Sequence, residues 1–160
     1  QPLSHLEPKI ERRELQVEGL VHEPLCLDAD PDLLHQVIYN LTENACKFAD
    51  QGGILSFSFE KEGNRAMVGV RNTGEGLSKQ EISRVFDRFY KTDRSRGLDK
   101  TGVGLGLYIV RSILTLHGGD IIVRSVKGEY TEFVFTLPLY NPMRKFKKKP
   151  DGKEDPNGKS

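Results

Sequence analysis

Gln36-Val-Ile-Tyr-Asn-Leu-Thr-Glu-Asn-Ala-Cys-Lys-Phe48 is the stretch on which the fold turns. It lies in a run from Pro31 to about Phe48 that reads as one long amphipathic helix, with Pro31 in the first turn, where a missing N–H is tolerated. At about 100° per residue, Leu34, Val37, Ile38, Leu41, Ala45 and Phe48 gather into an apolar stripe, the expected core face. Asn40, Asn44 and Lys47 recur at i, i+4 and i+7 and form a second stripe, about 100° from the first. Two carboxamides and one ammonium in line can offer hard oxygen to magnesium and a flexible positive charge to phosphate. A solvated helix face explains the same spacing equally well.

Working outward, residues 4–13 suggest a short helix around Pro8, followed by strand-like runs at Leu15–Gly19 and Leu25–Asp28. After Gly52-Gly53 come two alternating segments, Ile54–Phe59 and Ala66–Arg71, which read as strands. Ser78 is an N-cap candidate for a short helix, with Glu81 three residues on completing a capping box. A second amphipathic helix is expected over Leu105–His117, stopped by Gly118-Gly119, and two final strands over Ile121–Ser125 and Glu132–Leu137. Strands and helices without regular alternation predict an α+β chain, with helices on one face of a sheet.

Two glycine-rich stretches add chemistry. Asn72-Thr-Gly-Glu-Gly-Leu77 follows a strand directly, and Gly74 and Gly76 let a ligand approach the backbone closely. By itself this hexamer also fits an ordinary strand-to-helix turn. Thr101-Gly-Val-Gly-Leu-Gly-Leu107 opens the second long helix, so Gly102, Gly104 and Gly106 bring backbone N–H groups to a helix N-terminus, a natural phosphate cradle. No Gly-Lys-Ser/Thr follows and the spacing is not G-x-G-x-x-G, which disfavours a Walker A loop, a dinucleotide-binding fold and a protein-kinase glycine loop.

In this order and spacing, the stretches resemble the boxes of the histidine-kinase branch of the GHKL ATPases, over roughly residues 5–139. The N box corresponds to residues 36–48, the G1 box to Asn72–Gly76, the F box to Phe86-Asp-Arg-Phe-Tyr90 and the G2 box to Gly102–Leu107. Leu116-His-Gly-Gly119 and the Phe133–Pro138 strand also match. The resemblance implies a two-layer Bergerat-type sandwich: a mixed sheet of about five strands, three helices on one face, and a flexible ATP lid over about Asp87–Thr101. It implies ATP and Mg2+ as ligands, with Asn44 on the metal and Asn40 and Lys47 near the phosphates. Phe48 would lie against adenine, Asn72, Gly74, Gly76 and Thr131 would shape the base pocket, and Gly102, Gly104, Gly106 and Leu107 would hold the phosphates. Lys91 and Arg96 fall where lid cations approach the γ-phosphate, and Phe86 and Phe89 are expected to anchor the lid by packing.

The hydrolysing members of that superfamily place a glutamate four residues before the magnesium Asn. Asn40 stands there in this chain and cannot act as a general base, which favours phosphoryl transfer to another nucleophile over hydrolysis. Glu43 is off the ligand stripe and reads as a surface acid. Two positions depart from the family pattern. Asn72 replaces the usual G1 aspartate, a weaker because neutral acceptor for the adenine amino group. Tyr130 stands where a glycine is frequent before Thr131.

Ser4-His5-Leu6-Glu7-Pro8 superficially resembles a phosphoacceptor box, but the stretch from His5 to Asp28 is too short for two long helices and holds two strand candidates. The acceptor histidine is therefore expected on a separate dimerisation domain, in a longer and membrane-anchored protein whose catalytic part is cytoplasmic, with a response regulator downstream. His22 and His35 read as surface residues, and His117 as a helix C-terminal residue favoured by the dipole. Cys26 and Cys46 lack metal-ligand spacing and suit a reduced compartment.

Hydrophobic residues at 36% and charged residues at 29% describe an ordinary globular chain. No run is apolar enough for a membrane span, and no signal peptide opens the sequence. The net charge of +1 divides unequally: residues 144–160 hold seven basic and three acidic groups, so this +4 end leaves the body at −3 and argues against a nucleic-acid surface. A domain over 1–140 and a basic, disordered tail over 141–160 are expected. The competing readings are a GHKL-type anti-sigma serine kinase and a degenerate domain that only binds partners.

Overall fold

The computed structural model describes residues 6–19, 27–91 and 106–142. Along the chain these form α1 (Glu7–Arg12), β1 (Gln16–Glu18), α2 (Pro31–Phe48), β2 (Ile54–Glu62), β3 (Arg65–Thr73), α3 (Lys79–Arg84), α4 (Gly106–Leu116), β4 (Asp120–Val126) and β5 (Tyr130–Pro138). The five strands make one mixed sheet in the order β1-β2-β3-β5-β4, with β1 parallel to β2 and every other pair antiparallel.

Local sequence chemistry sets the helix boundaries. The Asp30 carboxylate accepts from the N–H groups of Asp32 (2.9 Å) and Leu33 (3.1 Å), capping α2, and Pro31 occupies its first turn. Ser78 and Glu81 form the reciprocal capping box that starts α3, at 3.1 and 3.0 Å. Strand alternation sends three rows of side chains toward the helices: Phe57, Val70, Phe133 and Val123; then Val68, Phe135 and Ile121; then Ala66 and Leu137. Val37, Leu41, Ala45, Val110, Ile113 and Leu114 close over this face, and α2 packs beside α4. Burying each large aliphatic or aromatic side chain contributes about 1.5–3 kcal/mol, so these rows dominate stability.

Two expectations change. The buried face of α2 is Val37, Leu41, Thr42, Ala45 and Cys46, while Leu34, Ile38 and Phe48 are half-buried. Leu34 and Ile38 still pack against the core, so the covered face is the expected stripe widened toward Thr42 and Cys46, because α2 meets both the sheet and α4. In place of a strand over Leu25–Asp28, Leu27 makes an isolated antiparallel bridge to Leu139; residues 25 and 26 lie outside the described set. The helical layer also includes α1 beside α2, α3 and α4. Its Ile10 reaches the core and its Lys9 pairs with Glu43 at 3.8 Å, so Glu43 is a tether between α1 and α2. The basic tail from residue 143, and residues 92–101 of the lid expected over about Asp87–Thr101, lie outside the described residues.

Candidate functional site

One end of the helix-covered sheet face changes character. The last row across it is Leu55, Asn72, Thr131 and Ser125, which are direct partners in the ladder. Three polar residues thus continue an otherwise apolar surface, and Asn72 and Thr131 are only 2% and 6% exposed. Buried polar groups are retained where they are partnered. Asn72 Nδ2 donates to the Thr73 carbonyl at 3.1 Å, and Ser125 Oγ lies 3.2 Å from Thr131 Oγ1.

The loop after β3 passes over this row. Ala49, just past α2, bridges Gly74, and the Asp50 N–H donates to the Thr73 carbonyl at 3.2 Å. A Cβ on Gly74 would lie 2.5 Å from the Phe48 carbonyl oxygen, and one on Gly76 2.5 Å from the Val126 carbonyl oxygen. Gly76 also has φ 72°, so no side chain fits either position without moving backbone. On its far side the loop is pinned to the β4–β5 turn by Gly74 N–H to Glu129 carbonyl (3.1 Å) and Gly128 N–H to Glu75 carbonyl (2.6 Å). The end of α2, the Asn72–Leu77 loop and the β4–β5 hairpin are therefore one backbone-to-backbone assembly.

Along α2, Asn40, Asn44 and Lys47 are half-buried on one side. Asn40 Nδ2 makes a long hydrogen bond (3.5 Å) to the Gly106 carbonyl in the first turn of α4. This sets the carboxamide stripe beside a helix N-terminus, where unpaired N–H groups and the helix dipole favour an anion. Gly106 is exposed, with open space where a Cβ would stand, and Leu107 is half-buried. Lys47 Nζ stands 5.9 Å from the centre of the Phe48 ring. The arrangement joins an aromatic and two uncharged polar groups at one end to carboxamides, an ammonium and a helix N-terminus at the other. Such a surface can hold a flat base and a polyphosphate.

The structure thus brings together Asn40 with Gly106, Phe48 with Gly74, and Asn72 with Thr131. Lys91 is the last described residue of the expected lid, whereas Arg96, Gly102 and Gly104 lie outside the described residues. Tyr130 points to the opposite sheet face from Thr131 and stacks against Arg71, whose guanidinium carbon is 3.7 Å from the ring centre. Its bulk therefore lies on the sheet face away from Thr131. Phe86 packs edge-on against Phe133 at 5.9 Å, as expected of an anchor. Phe89 does not: its φ of 65° turns it outward and leaves it 63% exposed, while the neighbouring Arg88 holds Tyr108 instead, at 3.2 Å from its hydroxyl. His117 acts as a tether: its Nδ1 lies 2.8 Å from the Ile113 carbonyl oxygen, and its Nε2 accepts from the Asp30 N–H (3.2 Å).

Two residues escaped the sequence reading. Ser125 shares its strand parity with Ile121 and Val123, a signal that places it on the covered face. Arg13 donates to the Ala49 carbonyl at 2.8 Å, putting a cation at the C-terminal end of α2 from a distant segment, which no local pattern announces. Burial raises the Cys46 thiol above its usual range. A hydrogen bond to Glu43 does the same for Tyr39, helped by burial and the nearby charge.

Residues 29–141 match the model of the histidine kinase-, DNA gyrase B- and HSP90-like ATPase family. Sensor histidine kinase WalK of Bacillus subtilis is 36% identical over 124 residues, covering 76% of this chain and 20% of that protein. Sensor protein SrrB of Staphylococcus aureus is 37% identical over 109 residues, 68% of this chain and 19% of that protein. The chain spans about a fifth of the length of these curated relatives. Among solved structures, the catalytic domain of histidine kinase ThkA superposes with a TM-score of 0.72 at 26% identity, over 86% of this chain and 87% of that one. The family match covers both α2 and the Asn72–Leu77 loop that meets it, and the chain belongs to the histidine kinase-, DNA gyrase B- and HSP90-like ATPases.

Proposed function

We propose that this chain is the ATP-binding catalytic domain of a sensor histidine kinase, transferring the ATP γ-phosphate to a histidine on a dimerisation domain elsewhere in a longer protein. The observation that carries this reading is the contact of Asn40 with Gly106, which aligns the carboxamide stripe of α2 with the first turn of α4. The base would lie between Phe48 and the Asn72–Thr131 pair, and the triphosphate along Asn40, Asn44 and Lys47 toward Gly102, Gly104, Gly106 and Leu107, with Lys91 and Arg96 reaching in from the lid. Two half-buried carboxamides are the hard, neutral oxygen donors that suit magnesium, and Asn44 is the residue proposed to hold it. Bound there, the ion would neutralise phosphate charge during transfer. Asn40 orients and donates hydrogen bonds but cannot take a proton from water, so the nucleophile and its base come from the acceptor domain.

The domain is proposed to occupy residues 1–140, followed by a tail over 141–160, in a protein that signals to a response regulator. No helix among the described residues is long and apolar enough to cross a membrane. Membrane anchoring, with this domain on the cytoplasmic side, is proposed through segments N-terminal to it.

The test mixes the chain with ATP labelled at the γ-phosphate and a histidine-containing helical-hairpin domain. Label on the hairpin that is acid-labile and base-stable supports the reading. Acid-stable label on a sigma-regulator substrate would identify a serine kinase instead, and failure to bind ATP would identify a partner-binding domain.

A further inference from the structure

Ser125 Oγ touches three groups. It accepts from the Leu77 N–H at 2.7 Å, donates to the Tyr130 carbonyl at 2.6 Å and lies 3.2 Å from Thr131 Oγ1. A hydroxyl carries one proton and a carbonyl oxygen can only accept, so the Ser125 proton belongs to Tyr130. The remaining contact must then run from the Thr131 hydroxyl to Ser125. With its proton directed inward, Thr131 keeps only lone pairs for anything bound beside it.

Asn72, the ladder partner of Thr131, is oriented in the same sense. Its Nδ2 serves the Thr73 carbonyl, an acceptor that only the amino end of the amide can satisfy, so Oδ1 is directed away from that bond. Asn72 Oδ1 has no partner among the described residues. It is also not sealed off, since the one sealed and unpartnered side-chain polar atom among them is Thr42 Oγ1. Two adjacent acceptors therefore await a donor.

We propose that Ser125 is a specificity-determining positioning residue that sets the hydrogen-bond polarity of the base pocket. By fixing Thr131 as an acceptor next to Asn72 Oδ1, it admits a purine whose facing edge donates, through an exocyclic amino group, and disfavours one bearing an oxo group there. An oxo group would set lone pair against lone pair, and the ring N1–H that accompanies it can meet at most one of the two protein acceptors. The inference rests on the nucleotide-site reading above and assigns to Ser125 the choice of base.

The test is isothermal titration of the chain with the magnesium complexes of ATP and of inosine triphosphate, which exchanges the amino group for an oxo group and places a single donor on N1. The wild type is expected to favour ATP by about a hundredfold or more. In Ser125→Ala the Thr131 hydroxyl is free to turn and donate; ATP should weaken and inosine triphosphate tighten, and the ratio should fall about tenfold. A role confined to holding the fold would weaken both nucleotides alike, so an unchanged ratio in Ser125→Ala overturns the proposal whatever its melting temperature. Should that variant fail to fold, Thr131→Val decides, because removing the acceptor must also lower the ratio. A wild type that binds both nucleotides equally defeats this inference alone. A wild type that binds neither defeats the nucleotide-site reading with it.

Discussion

Replacing Asn72 by aspartate should separate two properties that usually move together. The residue is 2% exposed, and its Nδ2 donates to the Thr73 carbonyl at 3.1 Å. A carboxylate cannot donate, so Asn72→Asp loses this hydrogen bond and sets two acceptors against each other in a buried place. Loss of the bond and desolvation of the charge together cost about 2 kcal/mol. For a domain of this size that lowers the melting temperature by about 8 °C. In the nucleotide complex the same change acts oppositely: a charged acceptor facing an amino group gains about 1 kcal/mol over a neutral one, or roughly fivefold in affinity. Calorimetric titration with MgATP, beside a circular-dichroism melt, reads both. An Asn72→Asp variant that binds ATP no more tightly than wild type would refute the assignment of this residue to the base. One that melts at the wild-type temperature would refute the role given to its amide donor.

Three further outcomes follow from separate parts of the molecule. Asn44→Ala should lose most of the gain in ATP affinity that magnesium brings, so that titrations with magnesium and with a chelator converge; a preserved difference would remove Asn44 from the metal. Arg13→Ala leaves the Ala49 carbonyl without its 2.8 Å charged donor, which costs about 1.5 kcal/mol and lowers the melting midpoint by about 5 °C; an unchanged melt would show that contact to be idle. The Cys46 thiol and Tyr39 hydroxyl are both raised in the folded state, Cys46 by burial and Tyr39 chiefly by its hydrogen bond to Glu43. Folded protein therefore keeps protons that the unfolded chain gives up, and stability is full below their ordinary values and falls as pH rises past them. The urea midpoint should decline above about pH 9, and a Cys46→Ala, Tyr39→Phe double variant should flatten that decline.

What could be read in the sequence was whatever local chemistry controls. Pro31 and Ser78–Glu81 announce helix starts because such signals act over two or three residues, and both lie where they were expected, whereas the Asp30 cap became visible only in the fold. Alternation announced β2 and β3 for the same reason. The buried face of α2 is wider than the apolar stripe because two neighbouring elements define it, and neither is present in an isolated amphipathic pattern. Phe89 was misread because its outward turn depends on one backbone angle. For the candidate site, the glycines at 74 and 76 were legible as places of close approach, but what approaches them is the protein's own backbone at Phe48 and Val126. Ser125 was missed because a serine in a strand resembles a solvent-facing residue until its partners across the sheet are known.

The pairing of β3 with β5 has a kinetic meaning. Each of these strands belongs to a hairpin with a short turn, β2–β3 on one side and β4–β5 on the other, and such hairpins close quickly. Joining them requires closing a loop that contains α3, the lid and α4, a slow and entropically unfavourable step. Asn72 and Thr131 face each other across that seam. Neither hairpin alone contains the base side of the pocket, so competence to bind should emerge late in folding, together with cooperative closure of the whole sheet. A nucleotide acting there would brace the seam that is last to form and would slow its reopening.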